Sequence, residues 1–234
     1  MAWAAAVQVP VIDTRNAPPS VLAGLSPLAV ARAVLPAQRS ADFARVVAAA
    51  APAPAARGSA RPLVQGSGLC GVAILSGRAL GHVSGPGACG VEDAVEVRAV
   101  GGITVSPAVT VDCRTATALA TWVERVANPE IGNQGGGIAR IETAGGYSCR
   151  GRNGQAGARL SEHAKGHAVD IMGFVLRDGS RLTVLGNWGN RALRAMHRGA
   201  CGIFGTVLGP EANSFHANHF HLDTARYRAG SYCR

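Results

Sequence analysis

Lysine is nearly missing from this chain: of its 23 basic residues, twenty-two are arginine and one is Lys165. Much of that arginine, like the abundant alanine, is a signature of GC-rich coding and is discounted as chemistry. The balance of charge is not discounted. Fourteen acidic residues leave a net charge of +9 and a pI near 10.1, which favours an anionic partner. Aromatic residues are scarce at 5%, the basic residues are scattered, and no nucleic-acid motif is present, so nucleic acid is not the expected partner. An anionic cell-wall polymer fits the same charge. No run of 18 apolar residues occurs, which excludes a helical membrane span. Met1 to Ile12 has neither a basic n-region nor a small-residue cleavage site, so an export signal is expected outside this sequence.

The six cysteines (Cys70, Cys89, Cys113, Cys149, Cys201 and Cys233) contain no CxxC pair. That spacing argues against a structural zinc knuckle and for up to three disulfides formed in an oxidising compartment. Pairing cannot be read from spacing, although Cys149 and Cys201 flank the candidate site and are one expected bridge.

Two regions are expected. Residues 1–66 are rich in Ala, Pro and Arg; Val46 to Arg57 is low-complexity, and its prolines forbid a long helix. This region reads as a linker or arm, with a short helix at Ala41 to Ala50. Residues 67–234 read as an α+β domain: a small antiparallel sheet carrying a zinc site, flanked by helices. Strands are expected at Gly71 to Leu75, Ala94 to Val100, Ile103 to Val105, Val109 to Val111 and Ile138 to Thr143. Thr115 to Ala127 has helical spacing and is expected to end at Pro129. Ala168 to Leu176 and Arg181 to Leu185 flank Asp178-Gly179, a hairpin signal. Arg191 to His197 reads as a helix stopped at Gly199, and Phe204 to Leu208 and Phe215 to Leu222 as closing strands.

The chemistry concentrates in Leu160 to Ile171, where His163 precedes Asp170 by seven residues among Ser161, Gly166 and Ala168. Downstream lie His216, His219 and His221. On a strand, Asp170 shares a face with Ala168 and Met172, Gly166 extends it without a side chain, and His219 and His221 point one way while Phe220 enters the core. Antiparallel pairing would join His163, Asp170 and His221 around a zinc ion, with water fourth. Two neutral imidazoles and one carboxylate leave such an ion enough positive charge to bring water to a pKa near ~7. His219 or His216 is then the base or transition-state stabiliser. Glu162 is expected to point away, and Asp223 to orient an imidazole. His82, His167 and His197 read as surface or hydrogen-bonded core residues, and Trp122 and Trp188 as core.

Ser161-x-His163-x-x-Gly166-x-Ala168-x-Asp170 followed by His219-x-His221 resembles the signature shared by lysostaphin-type enzymes, D-Ala-D-Ala metallopeptidases and hedgehog domains. GGYSCR, LSEHAKGHAVDIMGF, ACGIFGTVLGP and HANHFHLD together resemble the bacterial extensin-like C-terminal family over roughly residues 67–234. The His216-x-x-His219-x-His221 tail is also similar to penicillin-insensitive murein endopeptidases. The resemblance implies a zinc-dependent peptidoglycan endopeptidase of the periplasm or cell envelope, acting on peptide stems. It also implies that Arg150 clamps substrate, although Tyr147-Ser148-Cys149-Arg150 is shifted relative to the related motif. Asn218 stands where the carboxypeptidase branch has a glutamate, which favours endopeptidase action. The second reading is a non-catalytic wall-binding or scaffold protein on the same fold. Oligomeric state has no signature in the sequence.

Overall fold

A computed structural model describes residues 68–155, 157–226 and 229–234; the expected arm and its short helix lie outside the described residues. The described chain builds one mixed sheet of nine strands. These are β1 (Leu75–Ser84), β2 (Gly90–Val100), β3 (Ile103–Asp112), β4 (Ile138–Gly145), β5 (Ala168–Leu176), β6 (Arg181–Thr183), β7 (Thr206–Leu208), β8 (Phe220–Asp223) and β9 (Tyr232–Cys233). Their order is β1-β2-β3-β4-β5-β8-β7-β9, with β6 also paired to β5. The expected small antiparallel sheet is therefore corrected in size and type: β3–β4 and β7–β9 are parallel.

Central β5 explains how the sheet carries a site. One edge pairs with β4 along its length; the other pairs first with β8, at residues 168–171, and then with β6, at residues 173–175. Being enclosed on both edges, it is almost continuously buried, and Val169, Ile171, Phe174 and Leu176 contribute to the core. The Asp178-Gly179 turn joins β5 to β6 as a hairpin.

Four strand expectations change. Of Phe215 to Leu222 only Phe220 onward is strand, after a 3₁₀ turn at Ser214–His216, and Arg181 to Leu185 is strand only to Thr183, where a helical turn begins. Gly71 to Leu75 is a turn region closed by the Leu69–Val72 bridge, and β1 starts only at Leu75. Ile103 to Val105 and Val109 to Val111 are one strand, β3.

Helix α1 (Cys113–Trp122) starts where Asp112 Oδ1 accepts the Thr115 N–H at 2.7 Å. It passes through a π-helical turn, Val123–Ala127, into α2 (Asn128–Ile131). Pro129 thus opens a helical segment instead of ending one: in the first turn its missing N–H is not needed. The stop comes at Gly132, with φ 54°. Trp122 is fully buried, its Nε1–H donating to Met196 O at 3.0 Å and its ring centroid 6.2 Å from that of Phe174. After a short α3 (Val184–Asn187), α4 (Arg191–Gly199) runs through Gly199, the expected stop, to a cap at Ala200.

Three disulfides join Cys70–Cys113, Cys89–Cys149 and Cys201–Cys233. The expected Cys149–Cys201 bridge is overturned. Cys149 is tied to the loop before β2, and Cys201 fastens β9 behind α4.

A candidate metal centre

Asp170 and His221 are register partners in the β5–β8 pair, so the ladder itself sets their approach. His163 arrives from a 3₁₀ turn, Glu162–Lys165, which Ser161 caps by accepting the His163 N–H at 3.4 Å. That turn closes at Gly166 in the left-handed region, φ 70°, where a Cβ would lie 2.7 Å from Val91 Cγ1. Gly166 therefore serves the turn and does not extend the face of Asp170. Past β4 the chain crosses β3 at Gly146, where a Cβ would collide with Thr110 O. This close crossing aims the Gly146 carbonyl at His163.

The three side chains converge as the spacing suggested. His163 Nε2 is 3.1 Å from Asp170 Oδ1 and 3.1 Å from His221 Nδ1, and His221 Nδ1 is 3.0 Å from Asp170 Oδ1. All three residues are buried. The outward nitrogens are held as well: His163 Nδ1–H donates to Gly146 O at 2.7 Å, and His221 Nε2–H donates to Asp223 Oδ2 at 3.2 Å. With those protons held outward, the inward nitrogens are the ones that would turn lone pairs toward a bound ion, the arrangement found around metal-ligating histidines. A tetrahedral zinc ion with bonds of roughly 2.0–2.2 Å separates its donors by about 3.3 Å, so this set fits one ion.

The cluster lines a cleft of about 360 Å³, whose walls include Arg150, Arg152, Phe215, His216, His219 and Tyr232. His219 lies just before β8, with Nε2 3.7 Å from Asp170 Oδ1 and Nδ1–H donating to Asn218 Oδ1 at 2.8 Å. His216 Nδ1–H donates to Asn213 Oδ1 at 2.8 Å, and its ring is 5.2 Å from His219 and 5.6 Å from His221. Arg150 Nη2 is 3.8 Å from Asp170 Oδ2. Glu162 accepts from His167 Nδ1–H at 3.0 Å and also lines the cleft, contrary to the expectation that it points away. His82 pairs with Glu92 at 3.1 Å, and His197 packs 5.1 Å from the Phe220 ring; neither enters the cluster. Asn213 and the Gly146 carbonyl were not singled out, and Asn218 was noted for replacing a glutamate, not as a group that orients His219. The two asparagines flank the histidines in sequence, but nothing in composition marks them as orienting groups.

Electrostatics divide the histidines. Burial opposes charge on Asp170, yet hydrogen bonds and positive charge from His163 and His221 outweigh it and hold the carboxyl far below the usual carboxylate range. Burial likewise opposes a proton on His221, but Asp170 and Asp223 on either side raise it to about 9. Burial, reinforced by His221 and His219, pushes His216 down to about 4. Burial also lowers His219, against the pull of Asp170. Two neutral imidazoles therefore stand beside a charged pair.

No curated protein and no solved structure matches the chain. The family model described as the extensin-like protein C-terminus matches residues 75–234, which takes in every strand, all three disulfides except Cys70, and the whole His/Asp cluster. The chain belongs to the extensin-like C-terminus family.

Proposed function

We propose that this protein is a zinc-dependent peptidoglycan peptidase of the cell envelope that cuts cross-linking peptide stems. One observation carries the reading: three donors 3.0–3.1 Å apart, each imidazole pinned on its far side, at an open cleft that also holds two neutral histidines. The motif likeness to zinc peptidases of peptidoglycan supplies the substrate class. His163, Asp170 and His221 would hold the ion. Zinc supplies Lewis acidity toward a carbonyl oxygen and toward water.

The chain's own groups do the remaining work. Asn218 fixes the His219 Nδ1–H, leaving Nε2 free to take a proton from water and return it to the leaving amine; the lowered pKa keeps that nitrogen available at neutral pH. His216, oriented by Asn213, stands beside it. Arg150 offers positive charge where a carbonyl oxygen becomes negative. The three disulfides are compatible with an exported protein.

The test joins metal analysis to digestion of purified sacculi. Wild type should carry zinc and release muropeptides, Asp170→Ala should lose both, and His219→Ala should keep zinc but release nothing. A zinc-loaded wild type that releases nothing would replace this reading with that of a wall-binding protein.

A further inference from the structure

A second cavity of about 840 Å³ lies between α1 with its π turn and the loops around Gly202–Gly205 and Thr224–Arg226. Among the described residues Arg114, Arg125 and Arg226 line it, and no acidic residue does. All three arginines are exposed, and none has an ion-pair partner among the described residues. Arg114, Thr117, Ala118, Thr121 and Arg125 recur at helical spacing, so they form one stripe along the groove. Arg114 also sits in the first turn of α1, which has no acidic residue, where a cation is disfavoured by the helix dipole. Its position is unfavourable for the helix and favourable for an anion arriving from outside.

We infer that this groove binds a linear acidic polysaccharide, independently of the metal chemistry. Arg114 and Arg125 are eleven residues apart (125 − 114), about 16 Å along a helix, too far for one small anion to bridge. A chain with repeated carboxylates reaches both, with Arg226 closing from the other wall. Among the described residues the one aromatic side chain in the lining, Phe204, is 1% exposed, so these residues offer no platform for nucleic-acid bases. Among the described residues the exposed large apolar side chains, Met172, Leu185, Phe215 and Tyr232, all lie outside the groove lining, so those residues give a protein partner no apolar anchor there. The N-terminal 66 residues carry six arginines and two aspartates, the wrong charge to fill it.

The groove is separate from the metal cleft but shares its strands. Gly205, Thr224 and Ser231 line the groove, while their chain neighbours Thr206, Asp223 and Tyr232 line the cleft. Thr115 Oγ1 and Thr224 Oγ1 meet at 2.8 Å, fixing α1 to the end of β8. A polymer held in the groove would keep the cleft beside the wall material that carries it.

The full chain is titrated by calorimetry with polygalacturonate, with monomeric galacturonate, and with duplex DNA. Arg114→Gln/Arg125→Gln should weaken polygalacturonate binding at least tenfold and leave zinc content unchanged. Arg177→Gln/Arg191→Gln, which removes equal charge elsewhere, should bind as wild type does. Unchanged binding by the groove variant, equal loss in the control variant, equal affinity for the monomer, or tighter binding of DNA would each overturn the inference.

Discussion

Asp170 Oδ1 and His221 Nδ1 meet at 3.0 Å across a backbone pair that is in register, so two residues 51 positions apart are joined by the ladder itself. Because backbone pairing sets their approach, metal affinity is expected to depend on the donors more than on folding. Asp170→Asn keeps the shape and removes the charge. It should leave the melting transition of the zinc-free protein cooperative and lower zinc affinity more than 100-fold, measured by competition with a chromogenic chelator.

Asp223 acts one step further out. It accepts the His221 Nε2–H at 3.2 Å and its Oδ1 accepts the Ala225 N–H at 3.1 Å, so it is itself held. Asp223→Asn should weaken zinc binding by about 10–100-fold, less than removal of a donor, in the same competition assay.

Without metal, the cluster makes stability depend on pH from both sides. His221 is raised from 6.5 to about 9, so its contribution is complete below pH 6.5 and is lost as pH rises through 9. The shift corresponds to about 3 kcal/mol; the depression of Asp170 is the same interaction seen from its partner and is counted once. His216, lowered to about 4, works the other way, and its contribution is lost as pH falls from 6.5 toward 4. Urea melts of chelator-treated protein should therefore show a maximum near pH 6.5, falling toward both pH 4 and pH 9.5. A curve rising steadily to pH 9.5 would remove the charged Asp170–His221 pair.

The site was more legible than the fold around it. His163 and Asp170 lie in one short frame and His219 and His221 on one local stretch, so a turn before one strand and antiparallel pairing with another were enough to bring them near each other. β1 was missed because its burial pattern is mostly exposed and its pairing with β2 shifts register three times, which erases a period of two. Pro129 misled because the π turn before it resets the helical hydrogen bonding. Disulfide pairing depends on which loops the completed sheet brings together, and six cysteines carry no local record of that. Glu162 was misplaced because it sits in a 3₁₀ turn, where neighbouring side chains do not alternate as they do on a strand.

The Cys201–Cys233 bridge closes a segment containing His216, His219 and His221. Cross-linking across 32 positions limits the unfolded chain by about 3–4 kcal/mol. Cys201→Ser/Cys233→Ser should lower the melting midpoint by roughly 10 °C, measured by circular dichroism. It should also loosen β9, whose Tyr232 borders the cleft, so substrate KM is expected to rise more than kcat falls.

Gly166 couples the position of His163 to the core. Its N–H donates to His163 O at 3.1 Å and its carbonyl accepts the Asp112 N–H at 2.8 Å, tying the histidine turn to the start of α1. An added methyl group meets three obstacles: a left-handed backbone that costs about 1 kcal/mol for alanine, contacts of 2.7 and 2.8 Å with the Val91 methyls, and a 3.1 Å approach to the Asp112 backbone nitrogen. Gly166→Ala should thus destabilise by about 2–3 kcal/mol in urea titration and weaken zinc binding as the turn shifts. A double-mutant cycle separates the side-chain clash from the backbone terms, because Val91→Ala removes the methyl contacts and leaves the left-handed strain and the Asp112 contact. In that background Gly166→Ala should cost only about 1 kcal/mol. An undiminished cost would place the whole effect in the backbone.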